Sequence, residues 1–178
     1  ATISYFNFRD TLLAEAEHKF QFVVNGRVQA LETWLKSVES DMTSLAESPS
    51  TVEAAQKFSA AWQAIEGSAK NMLQTAYIMQ NPNPVGQKHL LDRANEQNYY
   101  HTVHEMFHPS LRTFQQSKGY YDVFLFNSEG ELIYSVFKEA DYATNFQSGI
   151  YASSGLGKAF RAAINGDAVA VVGFGEGD

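Results

Sequence analysis

GYYDVFLFNSEGELIYSVFKEAD, residues 119–141, sets two short runs of aromatic and branched residues around a compact polar turn. Tyr120–Phe126 and Leu132–Phe137 have the composition of strands. Asn127-Ser128-Glu129-Gly130 suits a type I turn closed by a left-handed glycine, the usual three-residue hairpin loop. The stretch therefore predicts an antiparallel hairpin. Lys118–Gly119 marks the junction at which a helical region gives way to it.

Upstream the period is helical. Val24, Val28, Leu31, Leu35, Val38, Met42 and Leu45 alternate by four and three, the repeat of a coiled-coil seam, on a helix that extends back toward residue 5. Ser48-Pro49-Ser50 ends it, and Ser50 with Glu53 has capping-box spacing for the next helix. Phe58, Trp62, Ile65, Ala69, Met72, Ala76 and Met79 repeat the four-three pattern, so the two seams are expected to pack as an antiparallel helical hairpin. Asn81-Pro82-Asn83-Pro84-Val85-Gly86 stops the helix in a turn. A third helix is expected from Glu96–Tyr99 to Lys118, kinked or broken at Pro109.

Downstream, a polar loop from Lys138 to Ser154 leads into a short helix, Leu156–Ile164, and a third strand, Ala168–Phe174. This predicts an α+β fold, long antiparallel helices packed on a small antiparallel sheet, with a long-helix region 1–118 and a sheet region 119–178 in one module.

Alternation along an uninterrupted hairpin places Tyr121, Val123, Leu125, Ile133, Ser135 and Phe137 on one side, expected to lie on the helices. The other side carries Tyr120, Asp122, Tyr134 and Lys138 among apolar residues, the composition of a small-molecule pocket; the plainer alternative is an Asp122–Lys138 pair at the sheet end. Asp141, Tyr142 and Tyr151 in the following loop are placed to close over it. Asp122 and Asp141 suit an ammonium group and Lys138 a carboxylate, so an amino acid or small carboxylate is the expected ligand.

His101, His104 and His108 share one helical face, and His104 and His108 have the i,i+4 spacing of a zinc pair. Pro109 follows directly and the order is wrong for H-E-x-x-H, so a structural role bridging helix and sheet is the expectation, with no metal and no cofactor. Nucleophile signatures are missing: there is no cysteine and no G-x-S-x-G. Gly155-Leu156-Gly157-Lys158 lacks the P-loop spacing and reads as a helix start. Nothing here demands catalysis.

A net charge of -7 opposes binding to nucleic-acid phosphates. Without cysteine, disulfides and thiolate metal sites are excluded. No apolar run approaches the ~20 residues that span a bilayer, so any membrane attachment is expected from flanking segments.

NPNPVG (Asn81–Gly86), Leu90-Leu91-Asp92, VHEMFHP (Val103–Pro109), GYYDVFLFN (Gly119–Asn127) and YSVFKEADYATNF (Tyr134–Phe146) together resemble the periplasmic sensor regions of bacterial methyl-accepting chemotaxis proteins, also found on related sensor kinases and cyclases. The resemblance implies a Cache-like (PAS-like) fold between two membrane helices of an inner-membrane receptor. It also implies a cytoplasmic signalling half, a homodimer in the full receptor, and further strands that would complete a sheet left partial at the C-terminus. Ligand sensing is the function it implies. A dimerisation module read through a separate binding protein, an input domain of a kinase or cyclase, and a metal-dependent enzyme on the histidine face are the alternatives.

Overall fold

The computed structural model describes residues 2–165, with side chains from residue 13 onward. The third strand expected at Ala168–Phe174 lies outside the described residues. The fold is α+β, as the sequence pattern predicts. Two compact units divide the chain, Ala1–Met42 and Thr43–Asp178.

The first unit is helix α1, Thr2–Glu47, whose last turn belongs to the second unit. Its seam is not buried: Val24, Val28 and Leu31 remain 40%, 49% and 55% exposed.

In the second unit, α2 spans Pro49–Gln63. Its cap is Ser48, not Ser50: the Ser48 hydroxyl accepts from the Thr51 amide at 3.2 Å, and Pro49 fills the first helical position, where no N–H is needed. The single helix expected through Met79 is interrupted. Gly67 takes a left-handed φ of 80°, and Ser68 starts α3, Ala69–Gln74, by accepting from the Asn71 amide. A π turn, Thr75–Met79, follows. The break and the widened turn shift the buried phase, so Leu73 and Tyr77 are fully enclosed while Met79 is 69% exposed. Seven-residue spacing alone cannot reveal such a shift.

Asn81 then ties the turn together, its amide group donating to the carbonyls of Tyr77 and Lys88. Helix α4, Tyr99–Lys118, is capped by Asn98 and closed by Gly119 at φ 69°. It runs unbroken through Pro109, correcting the break allowed for at that position.

Strands β1, Phe124–Phe126, and β2, Leu132–Ser135, form the antiparallel hairpin. Gly130 closes the turn at φ 81°, with its amide on the Asn127 carbonyl at 3.1 Å. A Cβ there would meet the Gln147 Cβ at 2.8 Å, so glycine is required twice over. The register shifts between Leu125 and Phe126, setting Tyr134 opposite Leu125, where an uninterrupted ladder sets Ile133. Tyr134 consequently packs on the helices, 4.8 Å from the Phe58 ring and 5.7 Å from His104. The facing that put Tyr134 on an open side is corrected by this one bulge. Val123 and Leu125 do face the core as expected, while Tyr121 is 60% exposed.

The segment after β2 returns along it: Glu131 and Asn145 form an antiparallel bridge, and the Leu132 amide donates to the Thr144 carbonyl at 2.9 Å. Helix α5, Gly155–Ile164, is capped by Ser154, whose hydroxyl accepts from the Gly157 amide, and sets Phe160 5.3 Å from Phe126. The core lies between α2, α4 and β2, around Phe58, Trp62, Tyr100, Val103 and Ile133.

Candidate functional site

The end of the hairpin is organised by Asp122. Its Oδ1 accepts from the amides of Val123, at 2.6 Å, and Val136, at 2.8 Å; Oδ2 accepts from the Ser135 hydroxyl at 2.7 Å. The Phe137 amide also donates to it, at 3.3 Å. Burial raises its carboxyl pKa, and the Ser135 and backbone donors oppose the rise. Among the described ion pairs none joins Asp122 to Lys138, so the plain reading of a sheet-end salt bridge is replaced by a carboxylate that gathers backbone amides.

Lys138 follows in a left-handed conformation, φ 59°, which folds its stem back into the core, where it is 2% exposed. Its ammonium donates to the carbonyls of Ser135 and Val136. It lies 4.7 Å from the centre of the Tyr134 ring and 5.6 Å from those of Tyr77 and Tyr142. Three electron-rich faces thus receive a cation that water cannot reach. Desolvation brings its pKa down to about 7, against the pull of Asp122.

Around this cage the aromatic hydroxyls and imidazoles form a directed network. Tyr100 Oη donates to the Ile133 carbonyl at 2.6 Å, so in its 2.7 Å contact with Tyr142 it is Tyr142 that donates. His108 Nε2 lies 2.7 Å from the His89 carbonyl and must carry the proton; Nδ1 then accepts from the Tyr134 hydroxyl at 2.7 Å. His104 donates from Nδ1 to the Asp92 carbonyl at 2.6 Å, and His101 pairs with the Tyr77 hydroxyl at 3.0 Å. Burial, then the Lys138 charge, lowers the His108 pKa to about 2 and holds His104 well below the histidine range. Both rings are neutral at physiological pH. They stack 4.3 Å apart and bridge α4 to the Asp92 segment and to β2.

Of the residues predicted for the site, the structure brings together Asp122, Tyr134, Lys138 and Tyr142. Asp141 sits beside them on the chain, its carboxyl pushed up to about 6 by burial and the neighbouring Asp122 charge. Tyr120 lies apart, against Phe114, and Tyr151 stacks on Phe146. Tyr77 and Tyr100 are the members that sequence pattern missed. Each is one aromatic among many on a helical period, and only the π turn and the Asn98 cap aim them inward.

Tyr134, Lys138 and Tyr142 are enclosed, so the open space lies elsewhere. A groove of about 660 Å³ runs between the α2–α3 joint and the returning segment. Trp62, Ile65 and Ala69 line one side, Ala143, Asn145 and Ile150 the other, with Lys70 and Glu131 supplying opposite charges. Its size is that of small-molecule sites. The wall at Ala143 is held in shape by a second left-handed non-glycine residue, φ 63°, and by the Gln74 amide group donating to the carbonyls of Ala140 and Tyr142.

No group of three His, Asp or Glu side chains among the described residues has metal-ligand geometry, and no described helix is long and apolar enough to cross a membrane. No protein-family model, curated protein or solved structure matches the chain.

Proposed function

We propose that this chain is the extracytoplasmic ligand-sensing domain of a transmembrane chemoreceptor, binding a small molecule rather than transforming one. The observation that carries this reading is the groove. One of its walls, Ala143–Ile150, continues directly from the segment that Gln74 and Tyr142 fasten to the helical layer. A molecule that binds better to one position of that wall than to another shifts the population of the two, which is all that signalling requires. Lys70 and Glu131, of opposite sign and beside Trp62, favour a zwitterion or small carboxylate with an apolar part. The neutral, carbonyl-bound histidines support a structural role for that face.

A thermal-shift screen with amino acids, small carboxylates and divalent metals tests the proposal. Stabilisation by an organic member of the panel supports it. Stabilisation by metal alone favours a metal site, and none at all favours a dimerisation module.

A further inference from the structure

Lys138 lies where the two walls of the groove are tied together. The π turn carrying Tyr77 continues α3, which gives one wall its Ala69 and Lys70, and Tyr142 directly precedes Ala143 of the other. The ammonium stands 5.6 Å from the centre of each of these two rings, so one cation holds a group from either side. Gln74, the last residue of α3, makes the second tie. Its amide group donates to the carbonyls of Tyr142 at 2.7 Å and Ala140 at 3.1 Å. The segment spanned by these ties runs between two left-handed residues that are not glycine, Lys138 at φ 59° and Ala143 at φ 63°. A Cβ disfavours that region, so the surroundings must hold both turns in place. At Lys138 the Ser135 hydroxyl does so, accepting from the Lys138 amide at 3.0 Å while donating to Asp122 at 2.7 Å. A short segment with such a turn at each end is a hinged element.

The charge on Lys138 works against closure of the hinge. Asp122 at the hairpin end attracts it, and Arg112 of α4 repels it. The rings of His104 and His108 on α4, and of His89 in the segment before α4, complete the titratable groups near it, with Tyr77, Tyr134, Tyr142 and, on the segment itself, Asp141. None of the carboxylates forms a described ion pair with it, so the ammonium has given up its water without gaining a counter-ion. Burial brings its pKa down to about 7, whereas a hydrated amine keeps 10.5. Between these values an opened segment binds one proton more than a closed one. Opening therefore becomes about tenfold easier for each unit by which pH falls, and levels off below about 7.

We propose that Lys138 makes the groove responsive to protons: a proton on its amine draws the side chain out of the tyrosine cage, and segment 138–143 carries the Ala143 wall away from α3 with it. Acid thus acts on the same wall as a ligand in the groove. The inference rests on the sensing reading only for the use of the motion; the motion itself is read with no ligand present, so either can fail without the other.

Hydrogen exchange of the full chain from about pH 7.5 to about pH 9 tests it, with each rate divided by the free-peptide rate at that pH. The Tyr142 and Thr144 amides donate to the Glu139 and Asp141 carbonyls within the segment and its end. Their protection is expected to fall about tenfold for each unit of falling pH. They should also be less protected than the Phe107 and Leu111 amides of α4, the mark of a local motion. Lys138→Met cannot take the proton and should hold the protection level across the range. Gln74→Ala removes the second tie, so protection should drop about tenfold at every pH with the slope kept. Equal protection at the α4 amides would assign the proton to unfolding of the whole unit and overturn the proposal. So would protection at Tyr142 and Thr144 that does not change with pH in the parent, or a slope that persists in Lys138→Met.

Discussion

The Lys138 ammonium sits 4.7 Å above the Tyr134 ring with no described carboxylate in ion-pair contact, held by two backbone carbonyls at the start of the segment that walls the groove. A buried cation in that setting binds its proton less tightly than it does in the unfolded chain. The folded-state pKa is near 7 and the free value 10.5, so between them the unfolded state holds the extra proton. Stability must rise as pH increases through that window, by about 1.4 kcal/mol per pH unit for one proton. Urea unfolding from about pH 7.5 to about 9.5 checks this, and Lys138→Met should flatten the rise. The shifted histidines are already neutral there, and the shifted tyrosines are still protonated.

The histidines act in the same direction on the acid side. His104 and His108 are held neutral in the fold, so their contribution is complete above the ordinary value of 6.5 and is lost as pH falls below it. Asp141 works against them: its raised pKa favours the folded state between about 6 and 3.8. Replacing His108 by Phe should reduce the acid sensitivity. It should also cost about 1–3 kcal/mol at neutral pH, because the His89 carbonyl and Tyr134 hydroxyl lose their partner.

Asp122→Ala strips acceptors from three backbone amides and the Ser135 hydroxyl. A destabilisation of about 2–4 kcal/mol is expected from unpaired donors of this kind. Hydrogen exchange should show it first at the Val136 and Phe137 amides. Loss spread evenly over α2 and α4 would mean that Asp122 does not act through the hairpin end.

Phe58 stands in the core, fully enclosed and within 4.8 Å to 6.3 Å of the rings of Tyr100, His104, Phe107 and Tyr134. Phe58→Ala should cost about 3–5 kcal/mol, read by urea unfolding. Val52→Ala, on the open face of the same helix at 43% exposure, should stay within about 0.5 kcal/mol.

The end of the first helix, the junction into the hairpin and its Gly130 turn were legible because each is signalled by residues close in sequence: Ser48-Pro49, Lys118-Gly119 and Asn127 to Gly130. Three things were not. The Leu125–Phe126 bulge is an arrangement of hydrogen bonds with no residue that demands it, yet it turned Tyr134 from an open face onto the helices. The Gly67 break interrupts a heptad spacing that runs on unchanged through it, and with the π turn it encloses Leu73 and Tyr77 while Met79 stays exposed. The groove is built from the α2–α3 joint and a segment far later in the chain, a juxtaposition that no local pattern encodes. Asp122, Tyr134, Lys138 and Tyr142 lie together because a hairpin and the residues just beyond it keep sequence neighbours together in space.

The most direct test of the sensing claim is calorimetry on the groove, using whichever organic member of the amino-acid and carboxylate panel stabilises the parent most. Lys70→Glu reverses a charge on one wall, and Ile150→Arg, at a position 81% exposed, changes the rim of the other, both without touching the core. The account predicts measurable binding to the parent, about tenfold weaker or more in each variant, with unchanged melting temperatures in the absence of the compound. A panel with no organic stabiliser, or equal affinity in parent and both variants, would contradict it.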